Sequence, residues 1–268
     1  MEEDEEIILD DTCPCCGREY DEVDCEYQIC HYCKFNNNGK EANRIDLQVI
    51  PPINTVENID CMEMLKKCPP KHFDLAIVDP PYGLGSRLVE GGKKGGMGSL
   101  RKLDDGKVTK WDSPPPQEYF EQLFRVSKNQ IIWGGNYFLD YLYANDGLII
   151  WDKMNGTNPL ADAEIAWKSL PGTTRIFRMH HFSEGYDKKI HPTQKPTKLY
   201  RWLLNRYAAA GDLILDTHVG SGSSIVACIE GGFNYYGCEI DKDYYDAAMK
   251  RIGRAFYDDK LKFADEAV

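Results

Sequence analysis

What this sequence lacks sets its first limits. No apolar run approaches the roughly 20 consecutive residues that a bilayer-spanning helix needs, so no membrane span is expected. The start, Met1 to Glu6, is acidic instead of basic and apolar, so a secretory signal is not expected and the chain reads as cytoplasmic. Without export, its ten cysteines are not expected to pair as disulfides. No internal repeat is evident, and low complexity is confined to the acidic start and the glycine-lysine stretch 91–98. Excess positive charge is missing too, since the formal net charge is −11.

That charge deficit is local. Residues 1–26 hold twelve acids against the single base Arg18, and the rest of the chain balances at 31 acids and 31 bases. Two stretches of the balanced part are basic. One is 86–110, with Arg87, Lys93, Lys94, Arg101, Lys102, Lys107 and Lys110; the other is 175–198, with Arg175, Arg178, Lys188, Lys189, Lys195 and Lys198. Either alone reads as a solvated loop. Both flank the motifs described below, which favours contact with phosphates. The hydrophobic content of 42%, with 12% aromatics, is ample for a packed core, and 268 residues suit one catalytic-sized domain with a small appendage.

The appendage is 1–38, acidic and rich in cysteine, and the turn-forming run Asn36-Asn37-Asn38-Gly39 follows it. Cys13 and Cys16, then Cys30 and Cys33, make two Cys-x-x-Cys turns separated by thirteen residues. Each turn aims two thiolates at one point, and two turns complete a tetrahedral zinc site. Cys15, Cys25 and His31 are further candidate ligands, and the alternative is a set of free thiols on a tail. The segment resembles a zinc ribbon, which would need structural Zn2+ to fold. Its acidity points to protein contact or to capping of the main domain. Cys61, Cys68, Cys228 and Cys238 read as small buried hydrophobes.

From about residue 45, strands and helices alternate. Phe73–Val78, Gln130–Trp133, Leu148–Trp151, Glu164–Leu170, Arg175–Phe182, Leu213–Asp216 and Tyr235–Ile240 read as strands. Gln117–Val126, behind Pro114–Pro116, reads as a helix, as do Thr197–Ala209, Ser224–Glu230 and Tyr244–Phe256, the last capped near Asp241. Such alternation implies an α/β domain with a mostly parallel sheet, whose active site lies at the carboxyl ends of its strands.

Three strand ends carry unusual chemistry. After the first come Asp79, Pro80, Pro81 and Tyr82. Two prolines fix φ and remove two N–H donors, which leaves the carbonyls of Asp79 and Pro80 as outward acceptors. With the carboxylate and a flat ring added, the turn suits a planar amine. Taken alone it is also an ordinary proline turn. The second is Asp216, followed by Thr217, His218, Val219, Gly220, Ser221, Gly222 and Ser223, a glycine-bearing turn that lets backbone approach a ligand at a helix start. At the third, Glu239 sits where an acid grips two ribose hydroxyls. These last two fit a nicotinamide dinucleotide equally well, although no third glycine follows Gly222 at the usual spacing.

Joined with His191-Pro192-Thr193-Gln194-Lys195-Pro196, these motifs resemble the DNA amino-methyltransferases that act on adenine N6 or cytosine N4. The order, catalytic motif before cofactor motif, is similar to their circularly permuted beta group. The resemblance covers about residues 45–256, and the short body resembles solitary enzymes of phages and prophages. It implies a Rossmann-like S-adenosylmethionine methyltransferase fold over 45–268, with a mostly parallel seven-stranded sheet. It implies catalysis by Asp79, Pro80, Pro81 and Tyr82 on a base flipped out of double-stranded DNA. Asp216, Gly220, Ser221 and Gly222 would line the pocket for the methionine part of S-adenosylmethionine, and Glu239 would bind its ribose. Asp60 matches the acidic position near the cofactor's adenine, and Thr193 and Lys195 would contact its carboxylate. His218 departs from the family, which commonly has phenylalanine there.

The resemblance favours adenine over cytosine, because the family usually opens the tetrapeptide with Asp for adenine and Ser for cytosine. Cytosine N4 methylation, action on RNA, and a zinc-ribbon binding protein with a degenerate methyltransferase body are the alternatives. Only Cys15 follows a proline, far from these motifs, which disfavours methylation of the cytosine ring. Stretches 84–115 and 153–190 are expected to contact DNA and read the target.

Overall fold

Short apolar runs and capped amphipathic helices take turns along the chain. The computed structural model describes residues 49–84, 112–156, 161–180, 190, 191 and 193–266. In order the elements are β1 (Thr55–Glu57), α1 (Cys61–Lys67), β2 (Phe73–Val78), α2 (Gln117–Val126), β3 (Ser127–Trp133), a 3-10 turn (Gly135–Tyr137), β4 (Leu148–Asp152), β5 (Ala163–Lys168), β6 (Arg175–Arg178), α3 (Thr197–Tyr207), β7 (Leu213–Asp216), α4 (Ser223–Gly231), β8 (Asn234–Cys238) and α5 (Lys242–Glu266). The expected zinc ribbon, with Cys13, Cys16, Cys30 and Cys33, lies outside the described residues, as do Pro192 and much of the expected DNA-contacting stretches.

The strands form one sheet in the order β1-β8-β7-β2-β3-β5-β4-β6. It has eight strands where seven were expected. The extra one is β1, three residues long and too short to show a period of two. The sheet is mixed: β5 runs antiparallel to both β3 and β4, and the other pairings are parallel. β5 is six residues long and shares strand composition with its neighbours, so its reversed direction is set by the connections around it.

Alternation along the strands divides the core. Leu75 and Ile77 of β2 and Ile131 and Trp133 of β3 cluster with Leu199 and Leu203 of α3 and Ile225 and Ile229 of α4. Their neighbours Ala76, Val78 and Ile132 are equally buried and face the other way. There the filling is aromatic: Phe124 of α2 meets Trp167 edge-on at 5.7 Å and Phe120 lies 5.2 Å from Phe138. Two helix starts carry side-chain caps. Asp60 caps α1 by accepting the Met62 N–H at 2.9 Å, and Asp241 accepts from Asp243 and Tyr244 at the start of α5. Cys61, Cys68, Cys228 and Cys238 are free and buried, as expected, and burial pushes the Cys61 and Cys68 thiols up to about 12. Among the described residues no helix is long and apolar enough to cross a membrane.

Because Ile131 is fully buried in the cluster with α3 and α4, Ile131→Ala should cost about 2–5 kcal/mol of stability. Ile176→Ala on the edge strand β6, where the side chain is 44% exposed, should cost much less. Urea unfolding of both variants checks the contrast.

Candidate active site

Four neighbouring strands, β8, β7, β2 and β3, run in the same direction, so their carboxyl ends open on one edge. Glu239, Asp216, Asp79 and Gly134 are the residues that stand there. Leu215 of β7 pairs with Ala76 of β2, which brings Asp79 close enough to Asp216 for its charge to act on it.

Asp79 is held from two sides. The Tyr82 hydroxyl donates to its Oδ1 at 2.5 Å, and Lys195 Nζ donates to its Oδ2 at 2.5 Å. Lys195 is 3% exposed and is shared: Nζ lies 3.0 Å from Glu164 Oε2 and donates to the Tyr82 oxygen at 3.2 Å. Glu164 in turn pairs with Lys153 at 2.6 Å. The result is a row of alternating charge, Lys153, Glu164, Lys195 and Asp79, ending at the proline turn. Lys195 Nζ also lies 5.3 Å from the centre of the Trp133 ring.

The electrostatics follow from one cation serving two acids. Burial alone would lower Lys195, but Asp79 and Glu164 together raise it, so it stays charged. Burial would raise Glu164, yet Lys195 and Lys153 overcome it and hold its carboxyl at about 2. Asp79 has only a share of Lys195 and feels Glu164 as well. Burial therefore wins there and raises its pKa. The Tyr82 phenol, buried beside these acids, is raised well above its usual value and remains a donor.

The ring of Tyr82 is seated by the β3 end. Gly134 has φ +69°, and a Cβ there would overlap the Tyr82 ring, so the double glycine after Trp133 is a steric requirement of the site. On one face Tyr137 stacks at 5.1 Å and 19°, itself about half exposed.

On the β7 side the chain forms a bare cradle. Gly220 and Gly222 both have positive φ, and Gly222 starts α4 with no side-chain cap. Asp216 accepts the His218 N–H at 3.0 Å and the Ser224 hydroxyl, yet burial still carries its pKa to about 7. A buried carboxyl with so high a pKa gains from a cation placed against it. Glu239 accepts from the Gly220 N–H at 2.8 Å and from the Asp241 N–H at 2.9 Å, which ties β8 to the loop. Bare backbone, a buried acid and a second acid one strand over fit the methionine and ribose parts of S-adenosylmethionine.

Most of the expected residues thus meet on one edge. Lys195 pairs with Asp79 and Glu164. Thr193 pairs its hydroxyl with His191 Nδ1 at 3.1 Å. Asp60 caps α1 and stands near enough to His218 to affect its charge. Glu164, Lys153, Tyr137 and Arg251 were not picked out. The double glycine was the one signal in the sequence that could have drawn attention to Tyr137. Among the described residues no cluster of His, Cys, Asp or Glu could hold a metal ion.

Residues 150–250 match the DNA methylase family N6_N4_Mtase. The chain is 23% identical over 244 residues to the DNA adenine methyltransferase YhdJ of Escherichia coli, covering 74% of this chain and 82% of that one. It is 24% identical over 242 residues to the type II methyltransferase M.HpaI of Haemophilus parainfluenzae, covering 74% and 73%. Its fold is similar to that of the PvuII cytosine-N4-specific DNA methyltransferase, with TM-score 0.50 and 13% identity over 76% of this chain and 92% of that one.

His218 gives a test of the buried cradle. Burial pushes its imidazole down to about 4 from 6.5, only partly offset by Asp60. In that window the unfolded chain binds a proton that the folded protein refuses, so stability is full above 6.5 and is lost as pH falls towards 4. His218→Phe removes that loss. Its melting temperature relative to the parent should rise between about pH 7.5 and about pH 5; a constant difference contradicts a buried, neutral imidazole.

Proposed function

We propose that this protein is an S-adenosylmethionine-dependent DNA methyltransferase that methylates the exocyclic amine of an adenine flipped out of the duplex. The observation that carries the reading is the adjacency of two strand ends. The Asp79–Tyr82 turn of β2 stands directly beside the Asp216–Gly222 cradle of β7. The match to DNA methylases over 150–250 and the similarity to YhdJ, named for adenine, support it. Asp at position 79 favours adenine over cytosine N4, the second reading.

Asp216, Gly220, Ser221, Gly222 and Glu239 would hold the cofactor, which when bound supplies a methyl group on an electrophilic sulfonium. Asp60, near His218, would flank its adenine. Extruding the base costs a few kcal/mol, which stacking on Tyr82 at roughly 1–3 kcal/mol would partly offset. The target nitrogen is a weak nucleophile because its lone pair is conjugated with the ring. The Asp79 carboxylate and the Pro80 carbonyl accept its two hydrogens and stabilise the positive charge that develops as its lone pair bonds to carbon. Asp79, whose proton affinity burial has raised, then takes the proton that the amine releases. Pro80 and Pro81 keep the turn rigid, so the acceptors need no reorganisation. Lys195 fixes the rotamer of Asp79, while Glu164 prevents Lys195 from neutralising it fully.

Expression in cells devoid of DNA methylation, followed by nucleoside analysis, tests the reading. N6-methyladenine is expected; N4-methylcytosine would move the assignment to cytosine, and unmodified DNA with no calorimetric heat on adding S-adenosylmethionine would refute it. Asp79→Ala should keep cofactor affinity and lose about 100-fold or more in kcat. Glu164→Gln leaves Lys195 to Asp79 alone and lowers the Asp79 pKa, because Glu164 is one of the charges that raise it. The acid limb of its pH–kcat profile should therefore move to lower pH; an unmoved limb would contradict the charge row.

A further inference from the structure

Helix α5 reaches into both halves of the site through one side chain. Ala248, Arg251 and Ile252 share a helix face. A Cβ on Gly222 would lie 3.2 Å from Ile252 Cδ1 and 3.5 Å from Ala248 Cβ, so this face packs directly beneath the cradle. On the same face, the Arg251 guanidinium forks. Its Nη1 donates to the Ser221 carbonyl at 3.0 Å and to Ser223 Oγ at 2.8 Å, with Ser221 Oγ at 3.4 Å. Its Nη2 donates to Thr197 Oγ1 at 2.9 Å. Ser221, Ser223 and Thr197 are all buried.

The two arms end in different places. One grips the turn between Gly220 and α4. The other grips the first residue of α3, and only Pro196 separates that residue from Lys195. Proline fixes one of the few dihedrals between them, which leaves the short connection less freedom to absorb a shift of Thr197 before it reaches Lys195. Lys195 in turn holds Asp79 at 2.5 Å.

We infer that Arg251 is a positioning residue that couples the cofactor cradle to the catalytic carboxylate, through Thr197, Pro196 and Lys195. The inference rests on the proposed methyl transfer to DNA. The planar guanidinium offers several donors in a fixed fork, so it spans both arms at once; an ammonium at the end of a flexible stem does not. Seating of the cradle and seating of Lys195 are therefore one event.

The test uses the full chain, S-adenosylmethionine, and unmethylated genomic DNA. Calorimetry reads cofactor Kd, and initial rates at saturating cofactor read kcat across pH. Arg251→Ala should weaken cofactor binding about tenfold and, even at saturation, lower kcat about tenfold, as expected for lost charge-assisted hydrogen bonds. Thr197→Val cuts the arm to α3 while leaving the Arg251 contacts to Ser221 and Ser223 in place, and it nearly preserves side-chain shape. It should keep Kd within about twofold while lowering kcat, and it should move the acid limb of the pH–kcat profile upward, because a loosened Lys195 depresses Asp79 less. Arg251→Lys should recover one property but not both.

An Arg251→Ala protein with parental kcat at saturating cofactor overturns the coupling. So does Thr197→Val with an unmoved acid limb, which keeps the test decisive if Arg251→Ala does not fold. The parent protein separates the two levels: failure to bind cofactor and methylate DNA overturns the functional reading, whereas an active parent with unaffected variants overturns the coupling alone.

Discussion

One buried ammonium organises this site. Lys195 lies between Asp79 and Glu164, and everything around it is arranged to tolerate a charge removed from water. Removing one partner of such a buried pair typically costs about 3–5 kcal/mol, because the other charge is stranded. Here the charges alternate over four residues, so none is stranded. The sharing also has a chemical consequence. A cation divided between two acids cannot satisfy both, and the more buried and less favoured carboxyl, Asp79, keeps a raised proton affinity. That property suits the proposed handling of a proton from an amine.

Steric demands converge on the same place. Tyr82 donates to Asp79 and occupies the space that Gly134 leaves open, and Tyr137 stacks on it from the following turn. The end of β3 is thus as much a part of the site as the proline turn. On the opposite side, Glu239 and Arg251 hold the glycine-bearing loop from two directions, through backbone N–H and carbonyl groups respectively. A loop with two residues at positive φ has little stiffness of its own. These two charged side chains supply it.

Much of the fold was legible because local pattern and tertiary burial agree. Phe73–Val78, Gln117–Val126 and Leu213–Asp216 form elements with the bounds read from periodicity and flanking prolines or acids. β1 escaped because three residues carry no period, and the direction of β5 escaped because strand composition is the same for either orientation. The site motifs were legible for a different reason. Consecutive prolines, bare glycines and acids at strand ends are costly locally and unusual in plain connections. Glu164 and Lys153 have no such mark, since an acid and a base near the ends of ordinary strands look like solvated surface.

Lys195 shows where the boundary runs. Its presence in a marked motif was evident, but its partner was not: it turned to Asp79, 116 positions away, and to Glu164 on the reversed strand. By itself the sequence determined which residue types stand at which strand ends, because strand period, proline stiffness and glycine freedom act over a few residues. Only the tertiary structure decided which of those charges face one another, because pairing across β2, β5 and the segment before α3 depends on strand order and direction, and short-range chemistry does not encode either.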